Sequence, residues 1–440
     1  MMRRLAFPAL LLGALALPAA ALADTLLDNV KGVTLDETGK QVTFTGLVFD
    51  ANGTIVQVLR SGDKRPKKID ARLDGAGRFV MPGIIDSHVS LMRIGYAAMT
   101  GGRDGLPPPR PEDRDVALQK AQRLLAAQGV TAVADMGTSI ADWQTYRRAG
   151  DANTLYIRVM AYAGSVEDMV LIGGPGPSPW LYKDRLRFNG LYLKPGRPIP
   201  RDQTAPSANS PEATQLRNLM SRAAIDSFQV AVSATNHAAV DDVLDAITEL
   251  KPTYQGERRW RLEGVKVIDG AQTGRAGGDK AFASFRFGAL EQDMANAGPA
   301  AAQTQPWQSV LQAGVKPVYG SAAQTAVPTP FADLAVAITR ESAAGQPFGG
   351  WYPQEKLTRE AALAAFTVNA AYAGFAEGRF GRLVKGEKAD FIMIDRDPML
   401  ASAEELRAMR VIETWIGGAR IYVAGSEATQ NFSQEKMPGW

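Results

Sequence analysis

Asp86, His88 and Ser90 stand at alternate positions of one apolar, β-branched run, Arg78 to Leu91, entered through Pro82-Gly83. A carboxylate, an imidazole and a hydroxyl are the groups from which proton transfer and nucleophilic attack are built. Alternate residues of a strand share a face but lie ~6–7 Å apart, too far for a hydroxyl to pass its proton straight to the ring. No Gly-x-Ser-x-Gly elbow accompanies them. His88 therefore reads in three ways: as a metal ligand, as a general base, or as a hydrogen-bonded histidine at a strand end. The other histidine of the 440 residues, His237, follows a strand-like run in Ala234-Thr235-Asn236-His237 and reads as a helix-start residue. With no cysteine, thiolate catalysis and disulfides are excluded. Ser233 facing either histidine across a fold, and Lys194 or Lys266 as a desolvated, Schiff-base-forming amine, complete the candidate nucleophiles. Asp135 and Glu263 end strand-like runs and read as pocket acids, salt-bridge partners or helix caps.

Groups like these need strand ends to aim them. Strand-like runs recur at Val130 to Asp135, Leu155 to Tyr162, Leu191 to Lys194, Phe228 to Ser233, Arg259 to Glu263 and Lys316 to Gly320. Amphipathic helical patterns alternate with them at Glu112 to Gln128, Pro211 to Asp226, Val240 to Leu250, Trp307 to Gln312 and Glu360 to Tyr372. That alternation predicts an α/β fold, a (β/α)₈ barrel whose strand C-termini form the working face and aim His88 at it. Gly270 to Ala302 is Gly/Ala-rich and carries no clear period. The charged run Glu257-Arg258-Arg259-Trp260-Arg261 reads as a solvated face leading into a strand. Gly101 to Pro111, Gly173 to Pro179 and Pro195 to Pro211 read as long loops.

Before the barrel, Val42 to Gly46 and Thr54 to Leu59 alternate around Asn52-Gly53, a hairpin signal. After it come strand-like runs at Ala389 to Asp395, Val411 to Ile416 and Arg420 to Val423. Both ends of the chain thus predict one small β-sandwich beside the barrel. The expected divisions are 1–23 leader, 24–80 and 376–425 sandwich, 81–375 barrel and 426–440 tail. The leader has Arg3 and Arg4, an apolar stretch from Leu5 to Leu17, and a small-residue cleavage pattern at Ala21-Leu22-Ala23. It is too short to span a bilayer and reads as a signal peptide cut after Ala23, which places the protein in the periplasm or outside the cell. Past Ala23, 47 basic side chains stand against 46 acidic ones. So balanced a chain gives no reason to expect nucleic acid or a membrane surface as partner. A small-molecule ligand or substrate is the expected partner, and self-association is left open.

The run "VMPGIIDSHVSL" resembles the first barrel strand of the amidohydrolase superfamily, with its pattern Pro-Gly-hydrophobic-hydrophobic-Asp-x-His-x-His. "GRLVKGEKADFIMIDRDP", Gly381 to Pro398, is similar to that family's closing motif. "GVTAVADMGTS", "PSPWLYKDRLRFNGLYL", "RRWRLE", "PFADLAVAITRE" and "AAFTVNAAYAGFAEGRFG" resemble amidohydrolase family 3, in its N-substituted formamide deformylase-like branch. The resemblance runs from about Leu26 to Val423. It implies hydrolysis of C–N, and sometimes C–O, bonds with zinc or another divalent cation. The ligands it implies are His-x-His on the first strand, Lys on the fourth, His on the fifth and sixth, and Asp on the eighth. Here the first His is His88, and the other positions hold Ser90, Tyr192 (with Lys194 two residues on), Ser233, Gly264 and Ala322. Ser, Gly and Ala are inadequate donors and Tyr a poor one, so no resident metal is expected.

The functional expectation is a secreted amidohydrolase-type protein acting on non-peptide C–N bonds by resemblance, with a depleted metal site that leaves it inactive or metal-independent. His88, Asp86 and Lys194 are its candidate catalytic residues; Tyr192, Trp180, Ser233 and Tyr319 would line the pocket. A ligand-binding pseudoenzyme using the vacated pocket is the alternative. A third arrangement gathers His88, Asp135, Glu263 and His237 into an unusual metal site.

Overall fold

The structure, a computed structural model, describes residues 24–101, 110–195 and 210–425. The leader read at 1–23 and the tail at 426–440 lie outside the described residues, as do most of the loops read at 101–111 and 195–211.

Eight parallel strands follow one another in chain order: Ile84–Val89, Val130–Thr138, Arg158–Ala163, Leu186–Leu193, Gln229–Ser233, Arg261–Glu263, Phe282–Phe285 and Lys316–Tyr319. The ring is nearly closed. Its last and first strands meet through a bridge between Val89 and Ala323 and through two 2.8 Å main-chain bonds, Ala322 N–H to His88 O and Ser90 N–H to Ala323 O. Helices cover the outside because their apolar residues recur every three or four positions. His237–Leu250, for example, buries Val240, Val243, Leu244 and Ile247, and the Asn236 side chain caps it by accepting from Ala239 N–H.

The seventh strand and the helix before it, Gly270–Gly278, fall where the sequence shows no period. Glycine blurs that helix for a packing reason: a Cβ on Gly277 would sit 1.9 Å from the Ala313 carbonyl oxygen. A further helix, Leu91–Thr100, follows the first strand directly.

The barrel flank carries two sheets. One joins Thr25–Asp28, Gly46–Phe49, Ile55–Leu59 and Ala71–Asp74. The other joins Lys31–Leu35, Gln41–Phe44 and Phe79–Pro82 to Phe391–Ile394, Val411–Ile416 and Ala419–Val423, so the two chain ends do share a sheet. The hairpin at Asn52-Gly53 lies one strand later than expected: Ile55–Leu59 pairs with Gly46–Phe49, while Gln41–Phe44 pairs with Lys31–Leu35 in the other sheet. The chain changes sheets at Thr45, whose N–H binds Leu59 O at 2.7 Å.

The apolar run of the first motif is likewise two strands. Phe79–Pro82 belongs to the side sheet and Ile84–Val89 to the barrel, with Gly83 between them donating its N–H to Asp390 O. A Cβ at Gly83 would meet the Thr131 side chain at 2.2 Å, so the passage is open only to glycine. Asp390 also pins the flank to the barrel: its carboxylate takes Arg158 Nε at 2.5 Å and Nη2 at 2.7 Å, with both side chains buried.

Candidate functional site

A chain of polar side chains runs up the barrel interior, and its hydrogen-bond directions are set from the bottom. Gln229 Nε2 donates to the main-chain oxygens of Arg259 and Ala373, at 2.7 and 2.8 Å. Its Oε1 must therefore accept, and it does so from the Tyr162 hydroxyl at 2.6 Å. That hydroxyl in turn accepts from Asn189 Nδ2 at 3.0 Å and Arg261 Nη1 at 3.1 Å. Arg261 donates Nε to Glu263 Oε1 at 2.6 Å and Nη2 to Ser87 O at 2.8 Å. Glu263 Oε2 lies 2.8 Å from His88 Nδ1. Burial alone would push the Glu263 carboxyl up, but the Arg261 guanidinium and the His88 bond outweigh it and hold it below the usual carboxylate range. An ionised Glu263 only accepts, so His88 carries its proton on Nδ1. In a neutral ring this leaves the Nε2 lone pair unprotonated.

Period-two geometry explains the pair on the sixth strand. Arg261 and Glu263 share one face, the inner one, where both are fully buried. The charged run before Glu263 is therefore not a solvated face, since Arg259 and Arg261 are 5% and 1% exposed. This pair, with Tyr162, Gln229 and Asn189, is what sequence reasoning missed as a unit. The signal was present in the alternation of Arg261 and Glu263 within an otherwise apolar strand.

The pocket residues separate. Tyr192, next to last in the fourth strand, has its ring edge-on to His88, 5.1 Å between centroids at 85°. Burial raises its phenol well above the ordinary value, the Glu263 charge adds to this, and the Ser233 hydroxyl opposes it. Tyr192, Ser233 and His88 thus meet at the mouth. Asp86 sits behind them: its Oδ1 accepts from His88 N–H at 3.1 Å and Ser321 N–H at 3.0 Å, tying the first strand to the loop after the eighth. Burial pushes its carboxyl up to about 6, against the bonds from Ser321 and the His88 N–H. Asp86 is a positioning residue for the His88 backbone.

Four expectations are corrected. Lys194 lies past the end of its strand and is exposed, its ammonium 5.4 Å from the Tyr192 ring centre, so it is not a desolvated amine. Trp180 precedes the fourth strand and so stands at the opposite end of the barrel, bonded to Phe375 O and edge-on to Phe380. Tyr319 is fully buried and stacked on Phe366, 4.1 Å between ring centroids, so it is wall packing between the barrel and its helices rather than a residue open to a ligand. Ser90 is not on the strand face, because the strand stops at Val89 and Ser90 stands at the N-cap position of the helix Leu91–Thr100, where its side chain makes no cap bond.

Nor do His88, Asp135, Glu263 and His237 gather. His237 opens its helix with Nδ1 2.9 Å from Gln272 Oε1. Asp135 holds the start of Leu91–Thr100, its Oδ1 accepting from Leu91 N–H at 2.8 Å and its Oδ2 from the Thr138 and Tyr146 hydroxyls. Burial pushes the Asp135 carboxyl up to about 6 from its ordinary 3.8, the bonds from Thr138 and Leu91 opposing the rise. The folded state then holds the proton more tightly than the unfolded one, so the contribution to stability falls as pH rises through that interval. Asp135→Asn, which stays neutral, is expected to gain up to about 3 kcal/mol on the parent between about pH 4 and about pH 8. Urea midpoints of both proteins at the two pH values measure this, and an unchanging difference would refute it.

The donors at the mouth do not fit a divalent cation. At the positions where the resemblance calls for ligands stand Ser90, Tyr192, Ser233, Gly264 and Ala322, and His88 has its Nδ1 committed to Glu263. Gly264 and Ala322 also have left-handed backbones, φ 65° and 51°. Among the described residues no three histidine, aspartate or glutamate side chains come together as a metal site would require.

Solved structures with the same architecture include an uncharacterized metal-dependent hydrolase from Pyrococcus horikoshii, with a TM-score of 0.69 at 16% identity over 87% of this chain and 99% of that one. The ochratoxinase of A. niger has a TM-score of 0.63 at 16% identity over 92% and 96%. At such identities the likeness is one of fold. Two relatives match in sequence. The N-substituted formamide deformylase of Arthrobacter pascens is 26% identical over 226 residues, 50% of this chain and 41% of that one. Protein LONG AFTER FAR-RED 3 of Arabidopsis thaliana is 24% identical over 339 residues, 71% of this chain and 58% of that one. The chain thus aligns with about half the length of these two relatives. Its hydrolase-type barrel, its first-strand histidine and the match of residues 95–422 to the sequence pattern of the amidohydrolase family agree, and the chain belongs to that family.

Proposed function

We propose that this protein works outside the cytoplasm and hydrolyses a non-peptide C–N bond in a small molecule without a resident metal, with His88 as the base. The observation that carries the reading is the His88–Glu263 pair. A histidine fixed by a buried carboxylate, with Nε2 bare, can take a proton from water and share the resulting charge with Glu263. Arg261 keeps that carboxylate ionised, and Tyr192 and Ser233 supply hydroxyls beside the ring for a polar substrate. The match to the N-substituted formamide deformylase favours an amide substrate and the branch of the family to which that protein belongs.

Purified protein is expected to carry well under one equivalent of zinc by elemental analysis, and to cleave N-substituted formamides undiminished by chelators. His88→Ala is expected to lower kcat by about 10²- to 10⁴-fold. One or two tightly held metal ions, with activity lost on chelation, would sink the proposal. A second reading, binding without turnover, draws on the small residues at the ligand positions. Calorimetric heat from such amides with no product formed would select it.

A further inference from the structure

Where the two flanking sheets part, between their edge strands Gln41–Phe44 and Ile55–Leu59, lies a cavity of about 740 Å³. None of its lining residues belongs to the polar chain of the barrel, and its chemistry is of another kind. The floor is aliphatic: Val42, Val56, Val58 and Ile69 are partly exposed in it, and Leu35, Val48 and Leu383, already buried, back them. The rim carries three exposed cations, Arg60, Lys68 and Lys385, and no ion pair is formed by any of them among the described residues. Two acids also line it, Asp24 and Asp36. The Asp36 carboxylate is spent on its own turn, accepting from Thr38 N–H, the Thr38 hydroxyl and Lys40 N–H at 2.7–3.0 Å.

An apolar hollow open to water is costly to leave bare, and its size is that of a pocket for one small molecule, roughly 300–1,000 Å³. A greasy floor under unpaired positive charge asks for an occupant with a hydrocarbon part and an anionic end. We infer that this cavity binds a free single-chain carboxylate, its alkyl chain along Val56, Val58 and Ile69 and its head at Arg60, Lys68 and Lys385. The floor gains by burying methylenes, while the rim selects the charge and orients the molecule.

Calorimetric titration of the full-length protein with monomeric dodecanoate is expected to show one site per chain. The exposed double replacement Lys68→Glu/Lys385→Glu is expected to weaken dodecanoate about tenfold or more, since two attractions become repulsions. It should leave the neutral analogue dodecanol within about twofold, because the floor is untouched. Val58→Trp, which fills the hollow, should abolish both while the melting temperature holds. No heat from dodecanoate, equal loss of dodecanol in the charge-reversed protein, or binding only to vesicles of anionic phospholipid would each overturn the assignment.

Discussion

Asp390→Ala is expected to cost about 3–5 kcal/mol of stability, because it strands the Arg158 guanidinium in the interior with no counter-charge. Both side chains are nearly inaccessible, at 1% and 2%. The carboxylate serves three donors at once: Arg158 Nε, Arg158 Nη2 and, at 2.7 Å, the Gly417 N–H. Arg158 would keep the oxygens of Lys183 and Asp184, at 3.1 and 2.8 Å, and the Phe380 ring at 5.0 Å, none of which neutralises it. Since folded proteins hold only about 5–15 kcal/mol in reserve, the loss should be visible as a large drop in urea midpoint. Replacing the pair together, Arg158→Met with Asp390→Leu, removes the orphaned charge and should recover much of the loss. If Asp390→Ala lowers stability by less than about 1 kcal/mol, the buried pair does not act as described.

The second large effect is expected at Glu263. Glu263→Gln preserves shape and removes the charge shared by Arg261 and His88, and a loss of about 3–5 kcal/mol follows from leaving Arg261 buried and unpaired. The same change removes the acceptor that fixes the His88 tautomer, so turnover should fall with the stability. His88→Ala offers the contrast: it leaves the Arg261–Glu263 pair intact and should unfold at a urea concentration much closer to the parent's. Equal destabilisation by the two replacements would mean that the imidazole, rather than the guanidinium, holds Glu263 in place. Denaturation curves on both variants decide between these outcomes.

How far the sequence disclosed this arrangement depends on the kind of signal each residue gives. The barrel was legible because parallel strands buried on both faces read as continuous apolar runs separated by amphipathic helices. Phe282–Phe285 escaped because four residues behind a glycine-rich helix give no period to read. Trp180 was assigned to the wrong end because the helix Val166–Gly173 went unread between the third and fourth strands, so the aromatic lies in the loop that enters the fourth strand and not in the one that leaves the third. The inward Arg261 and Glu263 were hidden by a sound general tendency, that charges lie outside, which fails where partners cross the barrel from strands distant in sequence. Tyr192 and Ser233 were placed beside His88 by the family resemblance, which puts ligand positions at those strand ends. The donor count at the mouth needed only residue identities, whereas the committed Nδ1 of His88 needed coordinates.

The shared side sheet has a kinetic consequence. Phe79–Pro82 pairs on one side with Lys31–Leu35 and on the other with Phe391–Ile394, more than 300 residues further along. During synthesis the early strands appear long before their late partner, and an unpaired β edge is a template for the wrong neighbour. Such distant pairing makes for slow folding. A chain interrupted ahead of Phe391 would keep most of its barrel residues and still present that sticky border, so the last stretch to emerge acts as the clasp that protects the first.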